Sequence, residues 1–530
     1  MTTEYDADVI VVGGGSAGCV IAARLSENPD LKVILLEAGG RDRHPYYHLP
    51  AGFAKLTKGL GSWGWSTVPQ RHLGGRVLRF TQARVIGGGS TINAQIYTRG
   101  HPQDYDDWRQ MGCAGWGAAD VLPWFRKAEN NDTWTNDQHG QGGPLGVSQP
   151  LAALPICQAF FDAAGALGIP RCDDLAGADP KGVGFYQLTQ AQARRSSTSV
   201  AYLGPARGRA NLRVVTGAQA ARLVVNGGRV TGVDLMDGRR FRAGSEVVLS
   251  AGAIGSPRLL QLSGIGPADA LEAFGIAPLL DQPGVGANLQ DHLDLFAISE
   301  CSGPHTYDRY ARLPWSALAG LQYLATRRGP VASSLFETGG FWFADPDARS
   351  PDIQFHLGLG SGIEAGVASM PDGGLTLNSA FVRPRSRGSV RLASADPAVA
   401  PLIDPNYWAD PYDRAMSLRG LEMAREILAQ DAFKPYLRAE RLPGPGVQGE
   451  AALLAYAHGN AKTDHHPVGT CRMGADAEAV VDLRLRLNGV AGLRVADASI
   501  MPVLVSSNTN APTIMIAEKA ADMIRADLGG

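Results

Sequence analysis

The stretch "ADVIVVGGGSAGCVIAARLSEN" (Ala7–Asn28) decides the fold. Its opening run is β-branched and apolar, as a strand should be, then glycines turn the chain, and the apolar positions that follow recur at helical spacing. Gly13, Gly15 and Gly18 supply G-x-G-x-x-G: a tight turn, room for a pyrophosphate against backbone, and close helix–strand packing. Phosphates would lie at the helix N-terminus, whose free N–H groups favour anions, with Ser16 and Ala17 opening the helix. Downstream, "KVILLEAG" (Lys32–Gly39) reads as a second strand ending in Glu37, where a carboxylate can hold both ribose hydroxyls. Together these predict a dinucleotide site. Glu37 would repel a 2′-phosphate, which disfavours NADP and leaves NAD and FAD open.

The rest of the composition narrows the function classes. The chain has 530 residues, 45% of them hydrophobic, enough for roughly two to four domains. Lys+Arg 49 against Asp+Glu 51 implies no dense basic face, so neither nucleic acid nor an anionic membrane is expected, and a small uncharged substrate is the natural one. Six scattered cysteines (Cys19, Cys113, Cys157, Cys172, Cys301, Cys471) form no CxxC and no framework spacing, which suits a reducing compartment. The N-terminal apolar run is too short for a signal peptide, and no later run reaches the ~20 residues of a membrane helix. A cytoplasmic protein, free or held at a membrane surface, is expected.

A second loop separates NAD from FAD. "QARVIGGGSTINAQIYTRG" (Gln82–Gly100) places three glycines before Ser90, Thr91 and Asn93; glycines let backbone lie against a flat ring system whose polar edge the following side chains can bond. A nicotinamide enzyme has no need of it. "GAIGSPRLLQLSGIG" (Gly252–Gly266) repeats the strand, small-residue turn and helix, and "GLRVADASIMPVLVSSNTNAPTIMIAEKAADMI" (Gly492–Ile524) reads as a strand, a polar loop and a closing helix.

These segments, in this order, resemble the two signature patterns and the C-terminal return of the glucose-methanol-choline (GMC) oxidoreductases, FAD enzymes that oxidise alcohols. The resemblance runs from about Asp8 to about Ile524. Within the family, "RDRHPYYHLPAGFAKLTKG" (41–59), "YTRGHPQDYDDW" (97–108) and "GSGIEAGVASMP" (360–371) are most similar to bacterial sorbose dehydrogenase-type members, with the choline dehydrogenase type next. The resemblance implies an α/β (α+β) fold: a Rossmann-like FAD-binding domain plus a substrate domain whose antiparallel sheet is covered by helices. The FAD domain would gather 1–155, 190–300 and 467–530, and the substrate domain 156–189 and 301–466. "PDIQFHLGLG" (351–360) and "LTLNSAFVRPRSRGSVRLAS" (375–394) alternate like antiparallel strands, and "DRAMSLRGLEMAREILAQ" (413–430) reads as a covering helix. The resemblance also makes Gly13, Gly15, Ser16, Ala17, Gly18, Glu37, Trp63, Gly89, Ser90, Asn93, Ala94, Ala220, Asp497 and Ala498 FAD contacts. Where some members tether FAD through a histidine of the second loop, this chain has Ile92, so FAD should be noncovalent.

Alcohol oxidation needs a base near the hydroxyl, a hydride acceptor and a donor for the developing alkoxide. The resemblance puts the base at His466 in "KTDHHPVGTCRMG" (462–474) and the donor at Asn510, with Asn508 two residues away as the competing position. Pro467 biases His466 to extended backbone, so His465 is expected to point away into packing. A metal site of His466 and Cys471 lacks a second pair at ligand spacing, and none is expected. Glu337 could serve a cationic substrate, but a structural role is favoured; His139 should fix a turn, and Arg383 should be a solvated strand end. The reading is FAD-dependent oxidation of a primary alcohol, such as sorbose or another polyol, to the aldehyde. An oxidase of choline or an aryl alcohol, and a nonredox hydroxynitrile lyase-like activity, are the alternatives. Quinone, another carrier or O2 would reoxidise the flavin, and the oligomeric state stays open.

Overall fold

A computed structural model describes residues 5–56, 59–151, 153–361 and 370–529; most of "GSGIEAGVASMP" lies outside them. The apolar run Ala7–Val12 and the strand Val33–Glu37 are buried on both faces, as expected of parallel strands covered by helices on both sides. They form the centre of a sheet ordered Leu212–Thr216, Val33–Glu37, Ala7–Val12, Arg240–Leu249, with Leu493–Val495 beside the last. All these neighbours run parallel. The long strand Arg240–Leu249 serves two arms: its C-terminal half joins the parallel sheet, while Arg240–Arg242 pairs antiparallel with Gly232–Asp234. Helix Ser16–Leu25 packs against the closing helix Asn510–Asp527, so the two ends of the sequence meet over this sheet.

The second sheet is antiparallel and ordered Leu437–Leu442, Leu293–Cys301, Gly374–Phe381, Ile353–Gly358, Thr338–Trp342, Gly182–Phe185. Helix Pro411–Leu428 covers one face, against Leu293–Cys301 and Gly374–Phe381. Both central strands are buried throughout, because the other face looks onto the first unit across a cavity. Register aligns Phe296, Asn378 and His356 across three adjacent strands, and all three line that cavity. The fold expected from the sequence is therefore the one seen, with one placement different: Leu293–Cys301 belongs to the antiparallel sheet, so the strand crosses the expected division at residue 300. We place the division before Leu293.

That crossing assembles the site. Leu293 and Asp294 pair with Thr463 and Lys462, and the Asp464 N–H donates to the His292 carbonyl at 3.0 Å. Two segments more than 170 positions apart thus bring His292 and His466 to one sheet edge.

Candidate active site

One cavity of about 1010 Å³ runs from the glycine turn at Gly13 to the histidines at 465–466. At its first end Gly13 takes φ +104°, and a Cβ there would lie 2.4 Å from the Ser250 carbonyl. Gly18 serves packing: its Cβ would sit 1.9 Å from the Gly13 carbonyl, and it does not line the cavity. Ser90 is likewise set back, donating its hydroxyl to the Gly87 carbonyl at 2.6 Å and shaping the second glycine turn. Of the expected cofactor contacts, Gly18 and Ser90 thus stand behind the wall and shape the two turns. The other twelve (Gly13, Gly15, Ser16, Ala17, Glu37, Trp63, Gly89, Asn93, Ala94, Ala220, Asp497 and Ala498) all line the wall. The two turns touch, since a Cβ on Gly88 would reach Gly15 Cα at 2.6 Å.

The Glu37 carboxylate accepts from the Gly14 and Gly39 N–H groups at 2.9 and 2.6 Å; burial raises its pKa and these bonds oppose the rise. Asp497 accepts from the Gly252 N–H and the Ser256 hydroxyl, pinning the turn that opens the Gly252–Leu262 helix. Trp63 stacks on Trp65 at 4.9 Å with Arg84 over its ring. Ile92 faces the cavity and carries no atom able to bond a cofactor covalently.

Asn510 belongs to this end. Its Oδ1 accepts from the Ser16 hydroxyl at 2.9 Å, and its buried Nδ2 has no protein partner among the described residues. An orphan amide donor in a wall of glycines, beside a free helix N-terminus, fits a flavin dinucleotide with phosphates at one end and a polar ring edge at the other.

Asn508 is the residue that meets His466. Its Oδ1 accepts from Thr98 Oγ1 at 3.1 Å and Gln354 Nε2 at 3.0 Å, so its Nδ2 must be the atom 3.2 Å from His466 Nε2. The structure thus sets Asn508 against His466 and Asn510 against Ser16, both in the cavity wall. The closing helix starts at Asn510 and turns that side chain toward Ser16, while Asn508, in the loop before it, reaches across.

Hydrogen bonding also assigns the ring protons. His292 Nε2 lies 3.2 Å from the Val382 carbonyl and must donate to it, leaving Nδ1 as an acceptor. His466 Nδ1, 3.0 Å away, therefore carries a proton and donates to His292. The lone pair of His466 falls on Nε2, where it accepts from the Asn508 Nδ2–H at 3.2 Å. The Asp464 carboxylate stands 3.4 Å from His466 Nδ1. Burial opposes its ionisation, but His466, His356 and Lys462 outweigh this and bring Asp464 down to about 2. Burial lowers the His466 value, with Asp464 opposing, and pulls His292 down to about 3. Asp291 fixes the backbone, accepting from the His466 N–H at 2.7 Å and the Thr463 hydroxyl at 2.5 Å. His292, Asp464 and His466 gather ligand-type atoms within 4.8 Å of one another, His466 Nδ1 donating to His292 within the group.

His465 departs from expectation. It adopts φ +61° instead of extended backbone, and its ring opens to the cavity, edge-on to Phe80, rather than turning into packing. Glu337 is fully buried outside the cavity wall, its carboxyl pushed up to about 8 by burial. Arg383 is tied to Asp104 at 2.7 Å and to Ser506 instead of being a solvated strand end. His139 bridges Glu129 and Asp174 at 2.8 and 2.9 Å, with Arg99 on the same glutamate.

Residues 7–294 and 384–517 match the N- and C-terminal GMC oxidoreductase families. The chain is a GMC oxidoreductase. It is 39% identical to "Alcohol dehydrogenase [acceptor]" of Pseudomonas putida over 98% of this chain and 95% of that protein. Mitochondrial choline dehydrogenase of Mus musculus is 40% identical over 97% and 89%. Among solved structures, pyridoxine 4-oxidase from Mesorbium loti superimposes with a TM-score of 0.89 at 34% identity, covering 98% and 99%. This GMC oxidoreductase is an enzyme of FAD-dependent alcohol oxidation.

Proposed function

We propose that this GMC oxidoreductase oxidises a primary alcohol carried on an uncharged, largely apolar body, with His466 Nε2 as the base and Asn508 Nδ2 as the alkoxide donor. The observation that carries this reading is the 3.2 Å approach of those two atoms at the cavity wall. A hydroxyl that takes the place of the Asn508–His466 hydrogen bond gives its proton to His466 Nε2 while the released Asn508 N–H holds the oxygen as charge develops. The resulting imidazolium donates from Nδ1 to His292 and lies beside the Asp464 carboxylate. His292 is a positioning residue: it never touches substrate, yet its Nδ1 keeps the His466 proton off the reacting nitrogen. The wall of Gly13, Gly15, Gly89 and Asn93 would hold an FAD, which would supply the hydride acceptor for the carbinol carbon. Ile92 supports a noncovalent cofactor.

The substrate end of the wall supports the choice of body. Phe53, Phe296, Phe336 and Leu442 line it, with His356 and Asn378 on the sheet and Asn460, Thr463 and His465 beside them as polar groups. A polyol such as sorbose would leave most of its hydroxyls facing apolar carbon, which disfavours it. A quaternary ammonium finds no carboxylate at Glu337, which is outside the wall, and the Asp464 carboxylate stands beside His466. Aryl and medium-chain aliphatic alcohols fit better than choline or sugars. The test is an alcohol panel mixed anaerobically with the purified yellow enzyme. Flavin bleaching by aryl and aliphatic primary alcohols, and not by sorbose or choline, is expected; bleaching by sorbose or choline alone would overturn the substrate reading. Repeating turnover with an artificial acceptor and with oxygen then sorts dehydrogenase from oxidase.

A further inference from the structure

The helix Trp315–Thr326 is turned inside out. An amphipathic helix on a protein surface ordinarily points its large apolar residues inward. Here the buried residues are Ala319 and Tyr323, the latter anchored by its hydroxyl to the Ala193 carbonyl at 2.9 Å. Trp315, Leu318, Leu321 and Leu324 are exposed on the outer side, and Leu313 precedes them; Leu321 and Leu324 are 63% and 70% exposed. Scattered exposed leucines need no explanation, but a contiguous set on one helix marks a surface that is covered in use.

Charge says by what. From Arg309 to Phe336 the sequence holds four arginines (Arg309, Arg312, Arg327, Arg328) and no aspartate, glutamate or lysine, in a chain whose formal net charge is −2. All four arginines are exposed and bracket the helix, two before and two after. The Arg309 guanidinium lies 5.3 Å from the Trp315 ring centroid, a cation beside an amphipathic aromatic. A second copy of this chain on the same face would bring four arginines against four, which like-charge repulsion disfavours. An anionic bilayer satisfies both halves: acyl chains take the leucines and headgroups take the arginines.

We propose that the Trp315–Thr326 helix and its flanking arginines dock this enzyme on an anionic lipid surface. No helix among the described residues is long and apolar enough to cross a membrane, so the contact is interfacial. The turn Pro330–Ala332 behind the helix packs on Pro50–Gly52, and Phe53, which lines the cavity, follows directly. Docking would therefore bring the Phe53 side of the site toward lipid.

The test is cosedimentation of the FAD-loaded enzyme with vesicles of phosphatidylcholine alone or mixed with phosphatidylglycerol. Binding is expected only to the mixed vesicles, weakening as salt rises. The Leu321→Glu/Leu324→Glu variant should bind about tenfold more weakly or worse. Arg327→Gln/Arg328→Gln should lose about fivefold per arginine. Both variants should keep their flavin and their rate with a soluble artificial acceptor. Failure of the wild type to bind the mixed vesicles, or binding indifferent to both variants, overturns the proposal. A concentration-dependent dimer that the leucine variant dissolves, without vesicle binding, would assign the surface to a second copy instead.

Discussion

As the proposed base, His466 needs an unprotonated Nε2, and two conditions secure that: neutrality of the ring and the correct tautomer. Burial, the largest influence on His466, lowers its pKa, so the ring is neutral at pH 7 and the rate should fall only as pH drops below the ordinary histidine value of about 6.5. With chemistry made rate-limiting, kcat should rise with pH to a plateau whose midpoint lies under that value. His466→Ala should lose ~10²–10⁴ of the rate together with this rise. His292→Ala removes the acceptor that fixes the tautomer; it should cost about 10²-fold in kcat, the scale of a misoriented catalytic group, and keep a rising profile. A merely packed His292 would shift stability and leave the pH–rate curve untouched. The two asparagines separate in the same assay. Asn508→Ala should lower kcat by ~10² at every pH with flavin retained. Asn510→Ala should instead weaken flavin retention, because its contacts lie at Ser16. If Asn510→Ala gave the larger kcat loss with full flavin, the roles would be reversed.

At the scale of elements, the strand Glu129–Asn131, the second glycine loop and the Asp174 turn are pinned by one buried network. Arg99 and His139 both bond Glu129, and His139 reaches on to Asp174. Burial opposes charging of His139, but Asp174 and then Glu129 outweigh it and hold its pKa above the ordinary value. A raised folded-state pKa stabilises fully below the unfolded value and less as pH rises through the folded one. His139→Ala should therefore lower Tm most at mildly acidic pH, by the equivalent of about 3 kcal/mol for a broken buried pair, with the gap to wild type narrowing as pH rises. A gap that widens with pH would mean His139 is held neutral. Glu129 works in the opposite direction: burial raises its pKa, but His139 and Arg99 bring it below the ordinary value, so its contribution is lost as pH falls.

For the whole molecule, the parts legible in the sequence were those built from local pattern. The Ala7–Leu25 strand, turn and helix follow from apolar periodicity and glycine spacing alone, whereas His466 as base was implied by the family resemblance and not by local pattern. What escaped depends on contacts across hundreds of positions. His292 carried no motif of its own; only the pairing of Leu293 with Thr463 makes it a neighbour of His466. Asn508 and Asn510 are equivalent in composition, and the exact start of the closing helix decides which one faces the histidine. His465 escaped because its left-handed backbone breaks the alternation of an extended chain. The noncovalent cofactor is a property of the whole cavity and is checked directly: acid or heat precipitation should leave FAD in the supernatant, and flavin fixed to the pellet would refute it.

The Ser16–Asn510 hydrogen bond spans 494 positions of sequence, and that separation sets a timetable for maturation. A ribosome makes the first glycine turn well before the two asparagines. The nascent chain can thus shape most of the cofactor cradle yet cannot close it, so flavin capture waits for the C-terminal helix to emerge. A chain cut before Asn508 should fold its parallel strands and remain colourless, whereas adding back a peptide spanning Ser507 to Asp527 should restore some yellow colour. Flavin held tightly by the cut chain alone would show that loading precedes completion.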